Sequence, residues 1–242
     1  GNFLFSSELK ALEKISGFKP KINKAVIPLF LKFSSVPHPY CIFEGINKME
    51  PGKIIELNEN GAIISSKKYW DSNKSISTAR SNQFSGSYDD AVAALDTVLS
   101  NAIRKQMESD VPLGAFLSGG IDSSTIVALM QRESNVPIKT FTVGFNESNF
   151  SEASHAQKVA NYIGTNHHEL LVTETDALDV IPSLPYIYDE PFADSSQIPT
   201  YLISKLAKQH VTVALSGDSG DEIFGGYNRY VMSNKLWPKI KI

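Results

Sequence analysis

Short apolar segments alternate with amphipathic helical patterns over most of the chain, and this alternation constrains the fold more than any other feature. Strands separated by helices of such length pair in parallel, and the helices cover both faces of the sheet. The sequence therefore predicts an α/β fold with a doubly wound parallel sheet. The predicted strands are 113–117, 139–143, 169–172 and 211–215, and the predicted helices between them are 123–132, 152–163 and 197–208.

A longer helix is predicted ahead of the first of these strands. Ser87 and Asp90 have the spacing of a helix cap, in which each side chain bonds the other residue's backbone. Apolar residues then recur at three- and four-residue spacing, which predicts one buried stripe. These residues are Val92, Leu95, Leu99, Ile103 and Met107.

Residues 1–70 form a different, β-rich segment. A helical pattern over 8–15 is followed by several turn signals, and Asn60-Gly61 separates two short strand candidates, 54–57 and 62–65. Asn-Gly favours a tight hairpin turn because both positions tolerate positive φ. Residues 71–87 are rich in serine and asparagine, which predicts a flexible linker. The expected domains are thus 1–70 and 88–242.

Charge and cysteine content exclude several classes of function. The chain has 23 Lys and Arg against 26 Asp and Glu, a formal net charge of −3, so no overall positive field favours nucleic acid. The longest apolar stretch, 25–31, is far shorter than the roughly 20 residues of a membrane span. The only cysteine, Cys41, suits a reducing compartment, which predicts a cytoplasmic protein.

The first candidate site is the loop Leu117-Ser118-Gly119-Gly120-Ile121-Asp122-Ser123-Ser124, between a predicted strand and a predicted helix. Glycines let backbone N–H groups approach an anion, hydroxyls add donors, and the helix N-terminus is partly positive. The pattern indicates a phosphate cradle. It lacks the Gly-Lys pair of the common P-loop.

The second candidate site is the loop 215–227, which follows another predicted strand. Asp218, Asp221 and Glu222 lie close together in it, and such carboxylates repel one another unless a cation compensates them. Ligands of doubly wound sheets bind beyond the carboxyl ends of strands, so both loops are expected at one site. Asp122 and Asp221 are the candidate Mg²⁺ ligands.

The two loops and three further motifs occur in one order that identifies a family. They resemble glutamine-dependent asparagine synthetase of the bacterial type, within the N-type ATP pyrophosphatases. The other motifs are 140–145, 164–169 and 189–194. Segments 5–12, 43–46, 51–53 and 69–71 resemble the end of the same family's glutaminase domain, so the resemblance covers nearly the whole chain.

The resemblance implies a sheet of the adenine nucleotide α-hydrolase type and a ligase that uses ATP and Mg²⁺. Aspartate is converted to asparagine through β-aspartyl-AMP, with glutamine or ammonia as nitrogen donor. The substrates are small molecules, with no nucleic acid or membrane partner, and a homodimer is compatible with the family. By position, the implied nucleotide contacts are Leu117, Ser118, Gly119, Gly120, Asp122, Ser123, Val143, Ser216 and Gly217, the Mg²⁺ ligands are Asp122 and Asp221, and the catalytic residue is Asp218.

The sequence departs from the family pattern in three ways. It begins Gly1-Asn2 where the family's glutaminase has its catalytic cysteine, so glutamine hydrolysis by this chain is not expected. It stops at Ile242, before the family's catalytic lysine, so a truncated synthetase domain is expected. Asp218 stands where the best-known members have glutamate.

The sequence is also compatible with two other functions. One is a related amidotransferase that acts on another carboxylate, such as a cell-surface sugar acid or a peptide. The other is a nucleotide-binding module without catalytic activity, which the missing cysteine and lysine would permit.

Two further groups of residues are compatible with structural or solvent-exposed roles. His167 and His168 are adjacent on a predicted strand and point to opposite faces, which favours structural roles over a metal site. Asp189, Glu190 and Asp194 lie in a loop that could face the acceptor substrate or could simply be solvated.

Overall fold

The chain divides into two compact units. The computed structural model describes residues 3–145 and 152–240. The smaller unit contains residues 1–85 and 179–195, and the larger unit contains 86–178 and 196–242. The sequence placed the boundary within 71–87 but did not predict that 179–195 would pack with the first part of the chain.

Besides short 3-10 turns at Lys24–Val26 and Ile181–Ser183, both units are built from the following helices and strands. They are α1 (Leu9–Glu13), α2 (Ile27–Phe33), β1 (Lys53–Leu57), β2 (Ile63–Lys68), α3 (Ser72–Ser81), α4 (Tyr88–Met107), β3 (Leu113–Phe116), α5 (Ile121–Arg132), β4 (Lys139–Phe145), α6 (Ala153–Ile163), β5 (Asn166–Val172), α7 (Glu174–Val180), α8 (Leu184–Tyr188), α9 (Gln197–Ala207), β6 (Val213–Leu215), α10 (Gly220–Phe224) and α11 (Asn228–Ile240).

The larger unit is built on a four-stranded sheet with the order β5-β4-β3-β6. Every neighbouring pair is parallel: β3 pairs with both β4 and β6, and β4 pairs with β5. The predicted parallel α/β sheet is therefore confirmed. The strand bounds differ from the predicted ones at the ends: β5 begins earlier, at Asn166, and β6 begins later, at Val213.

Helices cover both faces of this sheet. On one face, Ala115 and Leu117 pack with buried residues of α4, α5 and α6, including Ile103 and Val127. On the other face, Phe141 packs with Ala207 at the end of α9 and with Val211, four residues beyond that end, and Phe116 lies against the same cluster. Successive strand residues point to opposite faces, which is why neighbours such as Ala115 and Phe116 enter different clusters.

Helix α4 begins at the predicted cap. Ser87 Oγ accepts a hydrogen bond from Asp90 N at 3.2 Å, and Ser87 N donates to an Asp90 carboxylate oxygen at 2.9 Å. The predicted stripe is buried only in its second half: Ile103 lies in the core, whereas Val92 and Leu95 are exposed.

The smaller unit contains the predicted hairpin and a small core. Strands β1 and β2 pair antiparallel, with a register shift after Glu56. Buried residues Val26, Val36, Cys41 and Ile42 form the core of this unit. Burial raises the pKa of the Cys41 thiol, which makes this cysteine an unreactive core residue.

The linker predicted over 71–87 is wrong for most of its length, because residues 72–81 form helix α3. Asp71 caps this helix by accepting from Lys74 N at 3.2 Å. Ser75 and Ser77 donate from their hydroxyls to carbonyls four residues earlier. None of the residues of α3 is buried, so the apolar periodicity that reveals most helices is missing here.

The histidine pair has the structural role that the sequence favoured. On β5, His167 bonds Thr140 Oγ1 through Nδ1 at 2.9 Å. His168 instead stacks on Phe141 and His210, with ring centroids 5.4 and 4.0 Å away. Burial lowers the pKa of both imidazoles, so both favour the neutral form.

The helices within the described residues all lack the combination of length and apolar character that crossing a bilayer requires.

Candidate active site

The first glycine-rich loop follows β3 and leads into α5. Leu117 N donates to Phe141 O on β4 at 2.8 Å, which keeps the chain in line with the sheet up to the start of the loop. The chain then turns through Gly119, whose φ of +83° lies in the left-handed region. Gly120 is the residue before α5, so the free N–H groups of the first helical turn face the loop.

Two serine hydroxyls close this loop. Ser123 Oγ accepts from Ser118 N at 3.2 Å and lies 3.0 Å from Ser118 Oγ. Ser118 Oγ also accepts from Gly120 N at 3.3 Å. The loop is therefore shaped by its own hydrogen bonds, and Ser118 is exposed.

Gly119 also fits the loop against the amino-terminal end of α6. A Cβ atom at this position would lie 2.7 Å from Ala156 N and 2.9 Å from the His155 carbonyl carbon. Contacts this short do not occur, so a larger residue would push the loop away from α6. Glycine is required here by close packing as well as by its positive φ.

The second glycine-rich loop meets the first, as the sequence predicted. It follows β6, which is the neighbour of β3 in the sheet. A Cβ atom at Gly217 would lie 2.6 Å from Ser123 N and 2.9 Å from the Asp122 carbonyl carbon. The backbone of the second loop thus lies directly against the first turn of α5.

Each candidate metal-binding carboxylate packs against a glycine. A Cβ atom at Gly220 would lie 2.5 Å from Asp122 Oδ2, and one at Gly226 would collide with Asp221 Oδ1. Asp122 therefore contacts the residue that precedes Asp221 in the chain. The sequence pattern indicates the two aspartates but not the role of these two glycines, although both occur in the Gly-rich pattern of the loop.

Asp122 and Asp221 are the carboxylates that the sequence indicates as cation ligands. Within residues 3–145 and 152–240, no group of three or more His, Cys, Asp or Glu side chains is arranged to hold a metal ion. Mg²⁺ is commonly bound by one or two carboxylates, with phosphate oxygens and water completing its ligands. Asp122 and Asp221 supply the hard oxygen donors that this mode requires.

Asp218 is exposed and is oriented by its own loop. Ser216 Oγ donates to Asp218 Oδ2 at 2.9 Å. One carboxylate oxygen is thus committed to the loop. This local hydrogen bond directs the side chain without burying it.

A hydrogen bond between a tyrosine and a glutamate lies at the carboxyl-terminal end of the second loop. The sequence pattern does not indicate this pair. Tyr227 Oη donates to Glu222 Oε1 at 2.6 Å, and the Arg229 guanidinium lies 4.0 Å from the centroid of the Tyr227 ring. The hydrogen bond to Glu222 raises the pKa of Tyr227 to about 12. The same bond lowers the pKa of Glu222.

Leu117 and Val143, expected to contact adenosine, lie where strands end. Leu117 directly follows β3 and has no exposed surface, so its side chain is part of the core and only its backbone is available to a ligand. Val143 is half-buried near the carboxyl end of β4.

The acidic loop 189–194 belongs to the smaller unit. Asp189 and Glu190, two of its carboxylates, bond to backbone amides and lysines of that unit. These contacts favour a structural role for both residues over a substrate-facing one.

The fold and the two loops define an α/β protein with a candidate anion-binding site at the carboxyl ends of neighbouring parallel strands. Residues 94–241 match the family described as asparagine synthase, and residues 1–70 match the glutamine amidotransferase domain. The chain belongs to the asparagine synthase family. The resemblance drawn from the ordered motifs is thereby confirmed.

Individual relatives agree with this assignment. A putative glutamine-hydrolysing asparagine synthetase from Methanocaldococcus jannaschii is 36% identical over 239 residues, which cover 97% of this chain and 44% of the relative. A glutamine-hydrolysing asparagine synthetase from Bacillus subtilis is 36% identical over 227 residues, covering 93% and 34%. The chain thus spans less than half the length of these curated relatives.

Among solved structures, an NH3-dependent NAD synthetase from Campylobacter jejuni is similar with a TM-score of 0.40 and 14% identity. The similarity covers 56% of this chain and 60% of that chain.

Proposed function

We propose that the larger unit is the ATP-binding part of an amide-forming ligase that converts aspartate to asparagine. The observation that carries this proposal is the contact between the two glycine-rich loops, where Gly217 lies against the peptide between Asp122 and Ser123. This contact combines backbone N–H donors, hydroxyls and carboxylates at one edge of the sheet. Family membership supports the same assignment.

The first loop is proposed to bind the phosphates of ATP. Ser118, Gly119, Gly120 and Ser123 provide hydroxyls and closely approachable backbone around the first turn of α5. The free N–H groups of that turn and the helix dipole favour negative charge. Ser216 and Gly217 of the second loop are proposed to contact the nucleotide as well, and Leu117 and Val143 are proposed to contact adenosine.

Asp122 and Asp221 are proposed to hold Mg²⁺ together with the phosphates. The cation would neutralise phosphate charge as the leaving group departs. Gly220 and Gly226 provide the space in which these two carboxylates lie. No other described residues are assigned to the cation.

In the proposed reaction, an oxygen of the aspartate side-chain carboxylate attacks the α-phosphorus of ATP. The bond between the α-phosphorus and the bridging oxygen breaks, and pyrophosphate leaves with the electron pair. The products of this step are β-aspartyl-AMP and pyrophosphate. Ammonia then attacks the activated carbonyl carbon, loses a proton, and displaces AMP to give asparagine.

Asp218 is proposed to act in the second step. It is exposed beside the cradle, and its carboxylate is oriented by Ser216. A carboxylate in this place can orient the attacking amine or accept its proton. Asp218 is then the acceptor of the proton that the amine loses.

Residues 1–70 are proposed to be the end of a glutaminase domain, which links the ligase to glutamine as nitrogen donor. The partners are then small molecules, namely ATP, aspartate and glutamine or ammonia. The cytoplasm is the proposed compartment, because the single cysteine is a free, buried thiol. A homodimer is the proposed assembly.

Product analysis tests this function. The full-length protein is incubated with ATP, Mg²⁺, aspartate and an ammonium salt, and the nucleotides are separated by chromatography. The expected products are asparagine, AMP and pyrophosphate in equal amounts. Formation of ADP and phosphate, or AMP release that does not depend on aspartate, would contradict the proposal.

A further inference from the structure

Residues 189–193 connect two parts of the chain that match different families. They lie within 94–241, which matches the asparagine synthase family, yet they pack in the smaller unit with residues that match the amidotransferase domain. Residues 179–195 belong to the smaller unit, whereas the chain before residue 179 and after residue 195 belongs to the larger unit. Specific contacts with the first part of the chain attach residues 189–193 to the smaller unit.

The first contact is made by Asp189. Its Oδ2 accepts hydrogen bonds from Leu9 N at 2.8 Å and Lys10 N at 3.3 Å, and its Oδ1 lies 3.1 Å from Lys10 Nζ. The Asp189 side chain is only 11% exposed. Three donors therefore converge on one half-buried carboxylate, and this carboxylate caps the start of α1.

The second contact is made by Glu190. Its Oε1 accepts from Ile42 N at 2.6 Å, and its Oε2 forms an ion pair with Lys48 Nζ. Ile42 belongs to the core of the smaller unit, and Lys48 also donates to Val36 O, at 2.6 Å. Glu190 thus attaches the segment to the core itself.

The third contact is made by the backbone. Phe192 forms an isolated antiparallel bridge with Ser35, and Ala193 N donates to Ser34 O at 2.8 Å. Residues 189–193 therefore bond to three separate places in the smaller unit: the start of α1, the 42–48 region and the end of α2.

We propose that residues 189–193 are a clasp by which the synthase-family part of the chain holds the amidotransferase-family part in its folded state. Without the two carboxylates, the amides of Leu9, Lys10 and Ile42 lose their acceptors, and the two lysines keep only Glu8 and the Val36 carbonyl as partners. Buried polar groups that lose a hydrogen-bond partner destabilise a fold. The folding of residues 3–85 therefore depends on a segment more than 100 residues further along the chain.

Amide hydrogen exchange tests the clasp in three variants. Asp189→Asn removes the charge and suits the φ of +61° at this position, because asparagine tolerates the left-handed region. Glu190→Gln keeps the shape of its side chain. Asp179→Asn is the matched control, since Asp179 is an exposed carboxylate ten residues before the clasp.

We expect exchange at Leu9 and Lys10 in Asp189→Asn, and at Ile42 in Glu190→Gln, to become about ten-fold faster or more, the usual effect of losing a charged hydrogen bond. Protection of Val127 and Phe141 in the larger unit, and all exchange in Asp179→Asn, should stay unchanged. Unchanged protection of Leu9, Lys10 and Ile42 would overturn the clasp.

A double-mutant cycle provides a second measurement if a single variant unfolds the smaller unit. Glu190→Gln and Lys48→Met should together cost less stability than the sum of their separate effects, since each removes the same ion pair. Strict additivity would overturn the clasp.

Discussion

The α-carbon of Gly217 lies against the backbone nitrogen of Ser123, so close that a Cβ atom on residue 217 would be only 2.6 Å from that nitrogen. One residue of the second loop thus fixes the distance between the loop and the first turn of α5. Because the neighbouring atoms belong to the backbone, they cannot rotate away from an added methyl group. The relative position of the two loops therefore depends on glycine at this place.

Gly217→Ala is expected to weaken ATP binding by about ten-fold or more, because overpacking of this kind costs about 1–3 kcal/mol. Gln106→Ala is the control, because Gln106 is an exposed residue of α4 outside the proposed nucleotide site. Calorimetric titration of both variants with Mg-ATP measures the difference. Equal affinities in the two variants would contradict the importance of the contact between the loops.

Asp122→Asn is expected to weaken Mg-ATP binding at least ten-fold and to leave the fold intact. It removes the charge of a hard oxygen donor with little change in shape. Asp110→Asn is the control, because Asp110 is an exposed carboxylate of the same unit, ahead of β3. The measurement is nucleotide affinity at several Mg²⁺ concentrations. If Asp122→Asn binds Mg-ATP as the unsubstituted protein does, Asp122 is not part of the site.

Gly226→Ala is expected to affect the cation selectively. The added Cβ would collide with Asp221 Oδ1, a side-chain atom that can rotate away, so the fold should lose little stability while the carboxylate is displaced. The Mg²⁺ concentration needed for half-maximal ATP binding should rise several-fold, and thermal unfolding without nucleotide should stay nearly unchanged. A large loss of thermal stability with an unchanged Mg²⁺ requirement would show that Gly226 serves the fold instead.

The sequence predicted those features that arise from local patterns. The strand and helix alternation, the cap at Ser87 and the hairpin at Asn60-Gly61 all depend on residues close together in the chain. Helix α3 was missed because its stabilising bonds come from a capping aspartate and serine hydroxyls, with no buried stripe to mark it. Asp189 was not predicted to cap α1, since its partner Leu9 lies 180 residues away.

Residue type and sheet topology determine which parts of the site the sequence predicts. The residue types of the two loops indicate an anion site, and the parallel sheet brings neighbouring strand ends together. The close approach of Gly220 to Asp122 and of Gly226 to Asp221 depends on atomic packing, which no periodicity encodes.

Tyr227 is expected to remain protonated at a pH at which other tyrosines ionise. Its hydrogen bond to Glu222 raises its pKa to about 12. The folded state therefore keeps a proton that the unfolded chain loses near pH 10. This stabilisation is complete below about pH 10 and is lost as the pH rises towards 12.

Spectrophotometric titration of tyrosinate measures this effect. Tyr227→Phe should remove the transition at highest pH, and Glu222→Gln should shift that transition to lower pH. If Glu222→Gln leaves every tyrosine transition in place, the hydrogen bond between Glu222 and Tyr227 does not control the pKa of Tyr227.

Asp218→Asn is expected to lower the rate of asparagine synthesis while leaving ATP binding nearly unchanged. Asp218 is exposed, and its only hydrogen bonds in the described structure are with Ser216 of its own loop. A proton acceptor that acts after the carboxylate has been activated contributes to the transition state of amide formation and little to nucleotide affinity. The rate should fall by about 10² or more, which is the usual contribution of a positioned base.

The measurement uses the full-length protein with an ammonium salt, so that glutamine hydrolysis does not enter the rate. Aspartate-dependent exchange of pyrophosphate into ATP should persist in Asp218→Asn, because it reports only the first step. Asp221→Asn is the comparison, and it should lose Mg-ATP binding and both steps together. If Asp218→Asn loses ATP binding and Asp221→Asn retains it, the two carboxylates have the opposite roles. If neither substitution slows synthesis, the acidic loop has no part in catalysis.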